Sequence, residues 1–176
     1  MIEIQQLNKK EIYKHERGTV HFKSFRFSSR LSSYQVMKDE RFKITQPSDV
    51  VKLLQKEIGS CTREHFVMIG LNTKNEVTTL YTAHIGTLDM SIIHPRDSFQ
   101  VAILNNCKSV IFAHNHPSQD VTPSVNDIVV SKKLKLIGDL LSIDVLDSLV
   151  VSNDKYESLA ELELLETEIN INDLLV

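Results

Sequence analysis

The stretch SVIFAHNHPSQDVTPSVND, residues 109–127, decides how the chain folds. An apolar run, SVIFA, leads into His114-Asn115-His116, is cut at Pro117, and is followed by Pro123, Ser124 and Asp127. A short apolar run rich in β-branched and aromatic residues reads as a buried strand. Pro117 has no N–H to give a sheet, so the strand ends there. From Thr122 the period becomes helical. TPSVNDIVVSKKLKLIGDLL (122–141) has Thr122 placed to cap, Pro123 suited to the first position, and Val130, Leu134, Ile137 and Leu141 as an apolar stripe. A strand feeding a helix is the unit of an α/β fold, and ligands gather where strands end and helices begin.

Outward from this unit the alternation continues. PSDVVKLLQKEIG (47–59) predicts a helix with Ser48 as N-cap and Gly59 as its stop. EHFVMIGLN (64–72) and VTTLYTAHIG (77–86) predict two strands, with TKNEV (73–77) as the turn of a hairpin. HPRDSFQVAILNNC (94–107) predicts a helix from about Pro95 with Phe99, Ala102, Ile103 and Leu104 facing in. IDVLDSLVVS (143–152) predicts another strand. The order is helix, hairpin, helix, strand, helix, strand: an α/β fold with a mixed β-sheet packed between helices. The expected organisation is a basic lead-in over 1–46, partly extended, a folded domain over 47–160, and an acidic C-terminal tail over 161–176 that adds a short helix or stays mobile.

The chain's 176 residues suffice for one domain with a sizeable core. There is no apolar run of spanning length and no secretory-type N-terminal segment, so a cytoplasmic protein is expected. Cys61 and Cys107 are too few for a disulfide framework or a cysteine-based zinc site. The net charge of −3 conceals an asymmetry: residues 1–46 carry ten Lys/Arg against five Asp/Glu, and the remainder ten against eighteen. In TVHFKSFRFS (19–28) the apolar phase shifts between Phe22 and Phe25, which suggests a bulge near Lys23-Ser24. Its aromatics interleave with His21, Lys23 and Arg26, with Arg30 just beyond. That pattern suits either a strand with one face on a core or a contact with single-stranded nucleic acid.

His114 and His116 stand two apart at a strand end, where side chains share a face and Cα atoms lie roughly 6.6 Å apart. Asp127 follows Ser124 by three, one face of a helix start. Two nitrogens and one oxygen with a fourth position open describe a catalytic zinc site. Zinc lowers the pKa of a bound water to about 7, and a general base must then move its proton. Ser124 is placed to stabilise an oxyanion. The alternative for each histidine alone is a packed or surface residue, and His65, His84 and His94 are read that way.

HxH, seven residues, then SxxD is the metal signature of the JAMM (MPN+, or JAB) metalloproteases, and here it runs His114-Asn115-His116 to Ser124-Val125-Asn126-Asp127. Together with EHFVMIGLNTKN, HIGTLDMSIIHPRDSF and VIFAHNHPS, it makes the chain resemble the RadC family of bacterial JAB-domain proteins from about residue 43 to about 160. The resemblance implies a mixed sheet between helices, like that of cytidine deaminase. It implies zinc on His114, His116 and Asp127, with Glu64 as general base and Ser124 on the oxyanion. Nothing in spacing alone singles out Glu64 from the eighteen acids after residue 46. The chain departs from the family pattern in three places. Residues 1–46 hold one glycine, Gly18, where family members begin with a helix-hairpin-helix region. The usual HPSG is His116-Pro117-Ser118-Gln119, and the usual LDH is Leu146-Asp147-Ser148. The expected function is a zinc-dependent peptidase or isopeptidase in which a zinc-activated water attacks an amide carbonyl of a peptide or protein substrate. The competing readings are a DNA repair, recombination or mobile-element module that binds nucleic acid through residues 19–30, and a scaffold that holds the metal without turnover. A zinc deaminase is excluded because the chain has no CxxC pair.

Overall fold

The computed structural model describes residues 12–14, 20–22, 43–86 and 93–166. The chain divides into two compact units, Met1–Ser33 and Tyr34–Val176. In the first, β1 (Ile12–Lys14) pairs antiparallel with β2 (Val20–Phe22). Residues 23–30, with the expected bulge and Lys23, Arg26 and Arg30, lie outside the described residues.

The second unit is built on a five-stranded mixed sheet in the order β4-β3-β5-β6-β7. Its strands are β3 (His65–Leu71), β4 (Val77–Ile85), β5 (Ser109–Asn115), β6 (Asp144–Val151) and β7 (Tyr156–Ser158). β3 and β4 form the expected hairpin, turned at Asn75 with φ 59°. β5 pairs antiparallel with β3 and parallel with β6. A parallel pair needs a long crossover, which α3 (Val125–Leu140) supplies. Every residue of β5 is buried, because it is the central strand and both its faces are covered. β7 was not expected: three residues are too few to show a period.

One sheet face packs Val67, Ile69, Leu71, Ile111, Ala113, Leu149 and Val151 against α1 (Pro47–Leu54) and the π-helical turn Gln55–Gly59, through Val50, Leu54 and Ile58. The other packs Phe66, Met68, Val110, Phe112 and Val145 against α2 (Pro95–Leu104) and α3, through Phe99, Ala102 and Leu134. Strand alternation sets this division. It places His114 with Phe112 on the α3 side and Asn115 with Ala113 on the α1 side.

Four local expectations are corrected. The cap of α1 is Gln46, not Ser48: Pro47 takes the first helical position, and the Asp49 carboxylate turns back to accept from the backbone N–H groups of Thr45 (3.0 Å) and Gln46 (3.2 Å). The cap of α3 is Ser124, not Thr122, because Ser124 and Asp127 exchange hydrogen bonds across the first turn. On α2, Phe99 and Ala102 are buried but Ile103 and Leu104 are 54% and 57% exposed. At about 100° per residue, a face centred on Ser98, Phe99 and Ala102 leaves Ile103 at its margin and Leu104 opposite. Leu141 at the end of α3 is likewise exposed, while Leu134 is fully buried. At the C-terminal end, Leu165 packs with Val150 and Leu159; residues 167–176 lie outside the described residues. Cys61 and Cys107 are free thiols. Among the described residues no helix is long and apolar enough to cross a membrane.

Candidate metal centre

β5 carries His114 to its end, and His116 follows one residue past it. α3 begins at Val125 and returns Asp127 over that strand end. The three side chains converge. His114 Nε2 lies 3.0 Å from His116 Nε2, 3.4 Å from Asp127 Oδ1, and His116 Nε2 is 3.5 Å from Asp127 Oδ2. One ligand atom from each fits within 4.8 Å of the others. Their side chains are 3%, 20% and 17% exposed, so the cluster is recessed but reachable.

The chemistry of the donors fits a cation. His116 Nδ1 is 2.7 Å from the Asp120 carbonyl oxygen, which can only accept. The neutral ring therefore keeps its proton on Nδ1, which leaves the Nε2 lone pair for a cation. Two nitrogens each about 2.05 Å from a tetrahedral zinc stand roughly 3.3 Å apart, close to the spacing seen here. The His114 ring is held by a stacked Phe66 ring, 6.3 Å between centroids and 24° between planes.

Electrostatics agree. Burial works against the Asp127 carboxylate, but hydrogen bonding to His114, His116 and Ser124 overcomes it and holds the group well below the usual carboxylate range. The Asp127 carboxylate raises His116 above the ordinary imidazole value against the opposing effect of burial; the Asp120 carbonyl and the charge of Glu64 add to the rise. Glu64 is thus near enough for its charge to act on the cluster. It sits immediately before β3, half-buried, and its carbonyl accepts from the Gly86 N–H at 2.9 Å. Ser124 stands beside the cluster as the cap of α3; its Oγ accepts from the Asp127 N–H at 3.2 Å.

The other histidines stand apart from this grouping: among the described residues only His114, His116 and Asp127 come together as a metal-type cluster. His65 Nδ1 meets the Arg63 carbonyl at 2.9 Å. The two departures near the site have distinct structural consequences. Gln119 takes φ 65°, a left-handed conformation that suits glycine, and its side chain bridges the Gly59 carbonyl (3.2 Å) and the Asn153 N–H (3.0 Å). Ser148 is buried, with the Ser131 hydroxyl donating to it at 2.7 Å. Ser131 is one helical turn beyond Asp127, and Ser148 is level with Phe112, so this position lies in the core below the cluster and away from solvent. Sequence reasoning overlooked Asn115 and Asp120. The signal for Asn115 was a polar residue on the inward face of an otherwise apolar strand.

A family model described as the RadC-like JAB domain matches residues 44–164. A UPF0758 protein of Staphylococcus epidermidis is 42% identical over 138 residues, 78% of this chain and 60% of its own length. UPF0758 proteins of Staphylococcus haemolyticus and Staphylococcus aureus are 46% and 44% identical over 123 residues, 70% of this chain. The chain spans somewhat over half the length of these curated relatives. With most of its length matched by the family model, and with relatives this similar, the chain belongs to the RadC-like JAB-domain family.

Proposed function

We propose that the protein is a zinc-dependent hydrolase of amide bonds, a peptidase or isopeptidase, acting at the His114–His116–Asp127 centre. The observation that carries this reading is the convergence of two imidazole Nε2 atoms and one carboxylate in a recessed, partly exposed cluster. Zinc bound there would polarise a carbonyl and lower the pKa of a water to about 7. Glu64, close enough to influence His116, takes the proton from the attacking water and returns it to the departing amine. The Ser124 Oγ uses a lone pair for the Asp127 N–H, which leaves its own proton free to donate to the carbonyl oxygen as charge develops. Asp120 fixes the His116 tautomer, and the Phe66 ring keeps water from one side of His114.

The test is the zinc content of protein purified without chelator, beside the double variant His114→Ala/His116→Ala. About one zinc per wild-type chain and none in the variant is expected, followed by hydrolysis in a mixed peptide pool that chelator abolishes. A folded wild-type protein that takes up no added zinc would sink the reading. The basic charge of residues 1–46 supports a second reading, nucleic-acid binding. Affinity for single-stranded DNA that falls with salt and is lost when Lys23, Arg26 and Arg30 become alanine would favour it.

A further inference from the structure

Asn115 is fully buried and polar, and it stands between the two histidines on the opposite side of β5. A buried amide is costly unless its donors and acceptor are filled. Here they are filled by one short segment of chain. Asn115 Oδ1 accepts from the His65 N–H at 2.8 Å. Its Nδ2 donates to the carbonyls of Cys61 and Arg63, both at 3.1 Å. Residues 61–64 belong to no helix or strand, so the Cys61 and Arg63 carbonyls take a side-chain partner where no ladder supplies one. Glu64 lies between the Arg63 carbonyl and the His65 amide, and its own carbonyl is tied to Gly86. The peptide units on both sides of Glu64 are therefore anchored, and two of the anchors come from Asn115.

We propose that Asn115 is a positioning residue that holds Glu64 at a set distance from the His114–His116–Asp127 centre. The role follows from strand alternation. His114 turns to the α3 side to serve as a ligand; Asn115 turns the other way and grips the loop that carries the base. One tripeptide thereby sets both ligands and base, and their separation depends on a single buried strand. The pairing of Phe66 with His114, two residues beyond Glu64, holds the same register from the β3 side. This inference rests on the role given to Glu64 above.

Cobalt(II) alone is the probe, its binding followed by visible absorption, with amide hydrogen exchange on the same samples. Glu64→Gln removes a charge near the cation and is expected to weaken cobalt binding roughly tenfold. In an Asn115→Ala background the same substitution is expected to change affinity about twofold or less, because the loop no longer holds Glu64 near. The His65 amide is expected to exchange at least about tenfold faster in Asn115→Ala, while Val67–Leu71 in β3 exchange as in the wild type. Asn115→Ser, neutral and too short to reach the loop, gives the same result should the alanine variant fold poorly. An equal effect of Glu64→Gln in both backgrounds, with the His65 amide exposed, would reduce Asn115 to a structural residue and overturn the proposal. So would unchanged His65 exchange, or no effect of Glu64→Gln in the wild type. No cobalt uptake by the folded wild-type chain would overturn the metal reading itself, and the role of Asn115 with it.

Discussion

Ser124 and Asp127 hold each other across the first turn of α3: the Ser124 N–H donates to Asp127 Oδ2 at 2.7 Å, and the Asp127 N–H donates to Ser124 Oγ at 3.2 Å. The other carboxylate oxygen, Oδ1, faces His114 at 3.4 Å. One side chain thus caps a helix and completes the grouping with His114 and His116 that could hold a metal ion. The helix start is favourable for a negative charge, which keeps the carboxylate ionised for a cation. Asp127→Ala is expected to lose metal affinity and also about 1 kcal/mol of metal-free stability through the lost cap. Asp127→Asn keeps an acceptor for the Ser124 N–H and is expected to lose metal affinity with a smaller stability loss. Calorimetric metal titration and thermal unfolding of the metal-free proteins separate the two effects.

The same cluster predicts opposite pH responses with and without metal. His116 is raised above 6.5 in the folded chain, so its pairing with Asp127 stabilises the metal-free protein fully below about pH 6.5. That contribution is lost as pH rises through the raised value. Asp127 is lowered below 3.8, so its contribution is present above about pH 3.8 and lost as pH falls toward its folded value. Metal binding requires the proton to leave His116, so metal affinity rises over the range in which metal-free stability falls. Denaturant midpoints from pH 5 to 9, with zinc and with chelator, are expected to slope in opposite directions. Parallel slopes would mean that His116 does not exchange a proton for the metal.

Glu64→Gln removes a base and no ligand. It is expected to leave about one zinc per chain at micromolar protein and to lower any peptide hydrolysis by about 100-fold or more. Loss of the zinc in this variant would instead place Glu64 among the ligands.

The fold was legible because its period changes are clean. VIFA at 110–113 is apolar on both sides and became the buried central strand, and the apolar spacing of 122–141 became the crossover helix. The cluster was legible because all of its members lie within fourteen residues, His114 to Asp127. What stayed hidden depends on long-range contact. Asn115 reads as a spacer between histidines until the chain fifty residues earlier is laid beside it. The cap of α3 was misplaced by two residues because Thr122 and Ser124 are both good caps, and only the return bond from Asp127 chooses between them. Ile103 and Leu104 read as buried in the sequence because hydrophobicity alone does not reveal that α2 ends where the core does.

Gln119 gives the sharpest test of a departure from the family pattern. A side chain at φ 65° costs about 1 kcal/mol that glycine would not incur, while its two hydrogen bonds, to Gly59 and Asn153, each return about 1 kcal/mol. The Gly59 backbone itself packs so closely on residue 152 that an added Cβ would sit 2.9 Å from the Ser152 carbonyl oxygen, so the bridge joins two segments already in contact. Gln119→Ala keeps the backbone strain and removes both bonds; a loss of about 1–2 kcal/mol is expected. Gln119→Gly removes the bonds and the strain together, and is expected to fall within about 1 kcal/mol of the wild type. Urea unfolding of the three metal-free proteins checks the order: glycine above alanine by about 1 kcal/mol. The loop also carries the Asp120 carbonyl that orients His116, so if the bridge sets the position of that carbonyl, Gln119→Ala and Gln119→Gly are both expected to weaken zinc binding, and to a similar extent. Zinc affinities unchanged from the wild type in both variants would assign the loop's shape to its backbone alone.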